Sequence, residues 1–375
     1  MWKYRRKLSW LCWLWMTTKI KHLYIHVPFC KAICYYCDFA RRIYDEKLAD
    51  KWLERLEKEI SDSCHEQYET IYIGGGTPSC LSLEQSEKLL NLIYPYASEV
   101  KEYTIEANPE SLDSDKILLY KQYGINRISL GVQSCNDELL KSLNRKHDFK
   151  TVEDKISLLR NHGLDNISVD LMYSLPGQNM DILKDTLYRL INLDLPHLSL
   201  YSLTIEDNSV FGKKGIKALD EDTEADMYEL IDEILRAHDY IHYEVSNYAK
   251  AGYPSKHNLG YWNYDDYLGL SAGASGKISN NRYTNTRDLQ RYIKSDDIRE
   301  EDLYLSRKDQ MFENVMMSLR TIYGLDLYDF EKRYGISIQE AYPRALKNRN
   351  LMIRNDRLIC TNLEILNSVL LDFMD

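Results

Sequence analysis

The 375-residue chain has no apolar run near the roughly 20 residues that a bilayer-spanning helix needs, no long low-complexity stretch, and no excess of positive charge. The first absence argues against a helical membrane protein and the second against a disordered or fibrous one. With 44% apolar and 28% charged residues the composition is that of a globular protein. A net charge of −10 repels a nucleic-acid backbone, so nucleic acid is not an expected partner. The length suits one large α/β domain with a smaller one attached.

A disulfide framework is missing as well. The eight cysteines do not belong to a small secreted domain, and three of them, Cys30, Cys34 and Cys37, crowd into one short segment. That pattern points to metal binding in a reducing compartment, the cytoplasm. Residues 1–20 stand apart as an N-terminal extension. Lys3, Arg5, Arg6 and Lys7 precede the apolar run Trp10–Met16, which is too short to span a membrane and has no small-residue cleavage site after it. It reads as a surface anchor or as sequence ahead of a true start at Met16; membrane association is otherwise expected only through partner proteins.

What is present is a rhythm of short β-branched or aromatic runs separated by amphipathic helices. Strands are predicted at Leu23–Val27, Thr70–Gly74, Glu102–Glu106, Arg127–Gly131, Ile167–Met172 and Leu198–Leu203. Helical spacing recurs between them, as in Leu48, Trp52, Leu56 and Ile60. Strand, helix, strand at this interval gives parallel βα units. Six units suit an open doubly wound sheet or a partial (β/α)6 barrel. The polar residues favour the barrel: the cysteine loop, Gly75 to Thr77, Glu106 and Asn108, Gln133, Asp170 and Thr204 all fall at or near successive strand ends, where β/α barrels build their sites.

Residues 21–250 are therefore read as the barrel, residues 251–305 as a segment bearing a further motif and a linker that turns polar beyond residue 276, and residues 306–375 as a separate unit. In the last, helices at Met311–Leu319, Leu327–Tyr334 and Gln339–Lys347 lead to a hairpin, Leu351–Ile353 against Leu358–Thr361, and a helix at Leu363–Phe373. This is a small C-terminal helical, winged-helix-like domain. Its ten Lys and Arg balance ten Asp and Glu, which removes the footprint of a DNA reader and favours a structural or lid role.

The cysteines are spaced C-x3-C-x2-C in a loop after a strand. Zinc would take four ligands, with His26 the available fourth. An iron-sulfur cluster held by three thiolates would leave one iron open. The run Tyr24-Ile25-His26-Val27-Pro28-Phe29-Cys30, with Cys34, Tyr35, Tyr36 and Cys37, resembles the cluster loop of radical S-adenosylmethionine (SAM) proteins of the coproporphyrinogen dehydrogenase branch. The likeness extends through Gly74-Gly75-Gly76-Thr77-Pro78, Glu106-Ala107-Asn108-Pro109, Gly131-Val132-Gln133-Ser134, Arg145, the run from Asp170 to Gly177 and the run from Tyr243 to Tyr248.

The resemblance implies a [4Fe-4S] cluster on Cys30, Cys34 and Cys37, with SAM chelating the open iron and an electron donor needed if SAM is cleaved. Tyr24 and Tyr36 would border the cofactor, and Gly75, Gly76 and Thr77 would meet its amino-acid end, since glycines permit close backbone approach and exposed N–H groups favour a carboxylate. Glu106 would face its cationic end, Asp170 would accept from the ribose, and Gln133 and Arg145 would complete the shell.

Two departures separate branches of the family. Phe39 stands where the oxidase branch carries a fourth cysteine, and there is no room for that branch's longer N-terminal cover; conversely His257-Asn258-Leu259-Gly260-Tyr261-Trp262 is similar to the H-N-x-x-Y-W motif of HemW-type heme chaperones. On a helix His257 and Tyr261 share a face, with Trp262 adjacent and Asn258 inside the motif, so the resemblance implies an axial imidazole beside aromatic walls. A heme chaperone handing heme to acceptor proteins is the expectation; an oxygen-independent coproporphyrinogen oxidase is its competitor.

Overall fold

Alternation along the predicted strands sorts their side chains into two kinds. Leu23, Ile25 and Val27 alternate with Tyr24 and His26, Ile71 and Ile73 with Tyr72, and Val169 and Leu171 with Asp170. Successive side chains of a strand point to opposite faces, so one face is apolar and the other polar. The computed structural model describes residues 20–64 and 67–374; the N-terminal anchor or early start read at residues 1–19 lies outside them.

All six strands form, within two residues of expectation: β1 (His22–Val27), β2 (Thr70–Gly75), β3 (Glu102–Ala107), β4 (Arg127–Gln133), β5 (Ile167–Tyr173) and β6 (His197–Ser202). They pair in sequential order, all parallel. The apolar face packs against helices, with Ile25, Ile73, Ile105, Leu130, Val169 and Leu198 in one continuous core. The first helix, Glu46–Ser63, begins at Asp45, whose side chain accepts from the Leu48 N–H, and buries Ala49, Trp52, Leu53, Leu56 and Ile60 on one stripe. The polar face lines a cavity of about 860 Å3. A barrel lumen is ordinarily filled by branched aliphatic side chains; tyrosine, histidine, serine and acid in those places leave it open.

The polar stretch read as a linker extends the sheet instead. After β7 (Ile241–Glu244) and β8 (Asn247–Ala249), which add antiparallel strands beside β6, the chain forms a helix at Lys256–Trp262. A seventh parallel strand, β9 (Tyr267–Leu270), then pairs with β1. The antiparallel β10 (Ser275–Ile278), β11 (Asn281–Asn285) and β12 (Arg299–Tyr304) continue outward. Polarity misled the sequence reading here because β12 is an exposed edge strand carrying Glu300, Glu301 and Asp302. Charged side chains on an edge protect it from pairing with other chains.

The C-terminal unit has its own core, built on Val315, Leu319, Phe330, Leu358, Val369 and Phe373. The Asn355–Asp356 turn joins β14 (Leu351–Arg354) to β15 (Arg357–Cys360), with both turn residues at positive φ; a short β13 (Leu325–Asp326) pairs with β15. The helix expected over Gln339–Lys347 is broken into Ile338–Ala341 and a 3-10 turn at Ala345–Lys347. Pro343 lacks an N–H and bars its predecessor from helical geometry, which ends the first piece. The unit docks by main chain: the Val245 N–H donates to Arg320 O at 3.1 Å and the Ile322 N–H to Tyr243 O at 3.1 Å.

Candidate functional site

Cys30, Cys34 and Cys37 line one rim of the cavity, above the C-terminal ends of the strands. The loop bearing them is fixed at several points. The Tyr44 N–H donates to Cys30 O at 2.9 Å, the Tyr35 N–H to Leu143 O at 3.1 Å, and the Asn144 side chain to Ile33 O at 2.8 Å. His26 holds the far end of the loop. Its Nε2 donates to Ala40 O at 2.7 Å, so its Nδ1 accepts from the Tyr24 hydroxyl at 2.9 Å. Burial holds this imidazole neutral, with its pKa lowered to about 4. Both nitrogens are spent, so His26 is not the fourth ligand a zinc site would need. Among the described residues no three His, Cys, Asp or Glu side chains converge on a point as a single ion requires.

Gly75, Gly76 and Thr77 sit against the loop as expected, but their N–H groups are not free. Gly75 donates to Glu106 Oε2 at 3.0 Å, Gly76 to Val27 O at 2.8 Å and Thr77 to Phe29 O at 2.7 Å. Gly76 and Thr77 thereby tie the end of β2 to the chain leading into the cysteine loop, and Gly75 ties it to Glu106 on β3. Gly76 allows the approach, since a Cβ there would stand 2.5 Å from Phe29 O and 3.0 Å from Cys30 Sγ. The Thr77 hydroxyl reaches Cys30 Sγ at 3.5 Å, while burial pushes the Cys30 thiol up to about 11.

Arg145 crosses to the same rim from the turn after the short helix Asp137–Ser142 that follows β4. Its Nη1 lies 3.4 Å from Cys34 Sγ, its Nη2 bonds Asn108 Oδ1 at 2.8 Å and also Gly131 O, and its Nε is buried without a partner. Tyr36 stands beside it, its hydroxyl pushed well above the usual phenol range by burial despite the nearby guanidinium. Gln133 sits at a bulge between β4 and β5 with φ 72°, in the left-handed region, and lines the cavity. Deeper, Glu106 accepts from the Tyr72 hydroxyl at 2.8 Å, and Asp170 from Ser129 Oγ at 3.1 Å. Burial, then the Asp170 charge, raises Glu106 to about 7. Such a pair favours a cation set against it.

The helix carrying His257 lies at the opposite end, closing the barrel floor. Glu102, the first residue of β3, caps it by accepting from the Lys256 N–H at 3.0 Å and the His257 N–H at 2.9 Å. His257 is 1% exposed. Its Nδ1 is 2.6 Å from Thr70 Oγ1 and its Nε2 2.7 Å from the Tyr261 hydroxyl. Tyr261 does share its face and is its hydrogen-bond partner, so both imidazole nitrogens are occupied. Asn258 lines the cavity floor, and the Trp262 indole N–H is buried without a partner. The sequence had no signal for Glu102 or Thr70 in this role, because the pairing joins strand starts to a helix more than 150 residues away.

The geometry can be set beside known proteins. A model of the radical SAM superfamily matches residues 24–190, and one of the HemN C-terminal domain matches 305–366. Neither reaches residues 191–304. The heme chaperone HemW of Lactococcus lactis is 40% identical over 352 residues, covering 91% of this chain and 93% of that protein. HemW of Bacillus subtilis is 37% identical, with 88% and 91% covered. This chain belongs to the HemW family. The family resemblance read from the motifs therefore holds. In fold it is also similar to coproporphyrinogen III oxidase (HemN) of Escherichia coli, with a TM-score of 0.82 at 21% identity over 95% of this chain and 90% of that one.

Membership of the radical SAM superfamily carries a [4Fe-4S] cluster and SAM with it, and the residues fit both. Three thiols share a rim, an arginine Nε without a partner lies beside one of them, and a cavity large enough for a cofactor opens below. Among the described residues no helix is long and apolar enough to cross a membrane.

Proposed function

We propose that this protein binds heme and passes it to acceptor proteins, using a [4Fe-4S] cluster on Cys30, Cys34 and Cys37 with SAM beneath it. The single observation that carries this reading is the 40% identity to a heme chaperone across nearly the whole length of both chains. Glu106 and Asp170 receive the cationic and ribose parts of SAM, bordered by Tyr24, Tyr36, Gln133 and Arg145. Gly75, Gly76 and Thr77 shape the wall by fixing the cysteine loop rather than by donating to the ligand. A bound cluster supplies one-electron reduction, for which an electron donor is required if SAM is cleaved. The cytoplasm, where thiols stay reduced, suits the free cysteines.

Phe39 supports a chaperone over the oxidase. It stands 68% exposed on the cavity rim, an apolar side chain where the oxidase branch places a thiol. For heme, ligation by His257 requires that Nε2 exchange the Tyr261 hydroxyl for iron while Nδ1 stays on Thr70, a partner that would orient the ring. A Soret-band titration of anaerobically reconstituted protein tests both parts. His257→Ala is expected to weaken heme binding about tenfold or more, and Tyr261→Phe, which removes the competitor, to strengthen it. Equal affinity in wild type and both variants eliminates His257 as the ligand; absence of binding by wild type eliminates the chaperone. Turnover of coproporphyrinogen III with SAM and reductant would restore the oxidase.

A further inference from the structure

Between β9 and β12, in the stretch that neither family model reaches, the chain builds a brace against the cysteine loop. Its foundation is Glu59, buried on the first helix, which accepts from the Tyr292 hydroxyl at 2.6 Å and from the Ser271 N–H at 3.0 Å. The Trp52 indole donates to Ser271 Oγ at 2.7 Å, and Asn285 Nδ2 to Ser271 O at 2.9 Å. Bonds from the first helix and from β11 hold Ser271 at φ 85°, a conformation a serine adopts only when its surroundings impose it. The turn it starts places Gly273, at φ 80°, against Ala40, where an added Cβ would collide with the Ala40 side chain. Ala40 is also the residue whose carbonyl His26 holds.

The same brace presents Arg287. Its guanidinium donates to the main-chain oxygen of Asp38 and approaches the Asp38 carboxylate at 3.4 Å. Asp38 directly follows Cys37, and Asp38, Arg287 and Gly273 all line the cavity rim. The Arg287 side chain is 52% exposed, so its substitution removes no buried apolar side chain.

We propose that Arg287 is a positioning residue for the cluster: it fixes the loop segment after Cys37 and neutralises the Asp38 carboxylate beside it, and so raises the reduction potential of the cluster. The inference rests on the reading that Cys30, Cys34 and Cys37 hold a [4Fe-4S] cluster. The physical reason is that cluster potential depends on net charge, hydrogen bonding and solvent access around the sulfurs.

The test is potentiometric titration of the reconstituted protein followed by EPR, with iron release to a chelator measured in parallel. Arg287→Gln leaves Asp38 uncompensated, so the midpoint is expected to move to a more negative potential and iron release to quicken severalfold, with the unfolding midpoint unchanged. Asp38→Asn is expected to move the potential the other way, and Asp38→Asn with Arg287→Gln to return it toward wild type. Potentials that stay at the wild-type value in all three variants overturn the proposal. A wild type that takes up no iron-sulfur chromophore overturns the cluster reading itself, which is a separate outcome.

Discussion

At the rim of the barrel polar groups are left waiting, whereas at the floor of the same strands they are spent on one another. Towards the rim, Arg145 Nε is buried without a partner and Gln133 sits at positive φ, and below them Glu106 is a carboxyl with its pKa raised to about 7. At the floor, Glu102 caps a helix and stands 4.0 Å from Arg127, Thr70 serves both His22 and His257, and His197 is held between Ser168 at 2.7 Å and Tyr243 at 2.8 Å. Among the described residues, the Trp262 indole N–H and Thr104 Oγ1, two residues along β3 from Glu102, are exceptions there. Unpaired buried groups and strained backbone cost stability and are kept where a ligand repays them; satisfied networks hold a shape. The contrast separates an end with buried groups left unpaired from one whose groups are largely paired within the fold.

The largest expected effect lies at the rim. Replacing Cys30, Cys34 or Cys37 by Ala should abolish the iron-sulfur chromophore of reconstituted protein, while replacing Cys64, Cys80, Cys135 or Cys360 should leave it. Visible absorbance and iron content decide it. A cluster retained after loss of Cys34, or lost with Cys135, would break the division between the ends.

At the floor the expected effect is on stability rather than cofactor. Glu102→Ala leaves the Lys256 and His257 N–H groups without their acceptor and removes the carboxylate 4.0 Å from the buried Arg127, and breaking such an arrangement costs about 3 kcal/mol. Denaturant unfolding of the cluster-free protein should show that loss, while iron uptake under native conditions stays at the wild-type level. Wild-type stability would mean the plug is not held by this carboxylate.

The smallest effect sharpens the comparison through pH. Because the folded Glu106 pKa is raised to about 7, the folded state keeps a proton that the unfolded state gives up near 4.5. The folded protein therefore loses stability from this group as pH rises between those values, and the cost is absent below them. Glu244, raised to about 7 by burial, contributes in the same direction. A cationic ligand reverses the Glu106 shift, so SAM affinity should rise with pH up to about 7 and then level, by at most about tenfold per pH unit. Calorimetric titrations across pH should find that slope flattened in Glu106→Gln; an unchanged slope would place the cation elsewhere.

The six parallel strands, the apolar outer face and the order of rim residues were legible in the sequence because each depends on local period and on the few residues just past each strand. The cysteine loop was legible from spacing. Residues 275–304 were misread, since an edge strand rich in acid has the composition of a loop. His257 and Tyr261 were correctly placed on one helical face, yet which way that face points is not a local property.

The sequence by itself thus determined the barrel strands, the close spacing of three thiols and the family, all of which rest on short-range pattern. Only the tertiary structure decided that the Gly75 to Thr77 N–H groups are consumed within the fold and that His257 is locked between Thr70 and Tyr261. It also decided that Arg287 grips Asp38 across 249 residues of chain. The physical reason is that a polar group is defined by its partner, and these partners are brought together by sheet closure rather than by sequence.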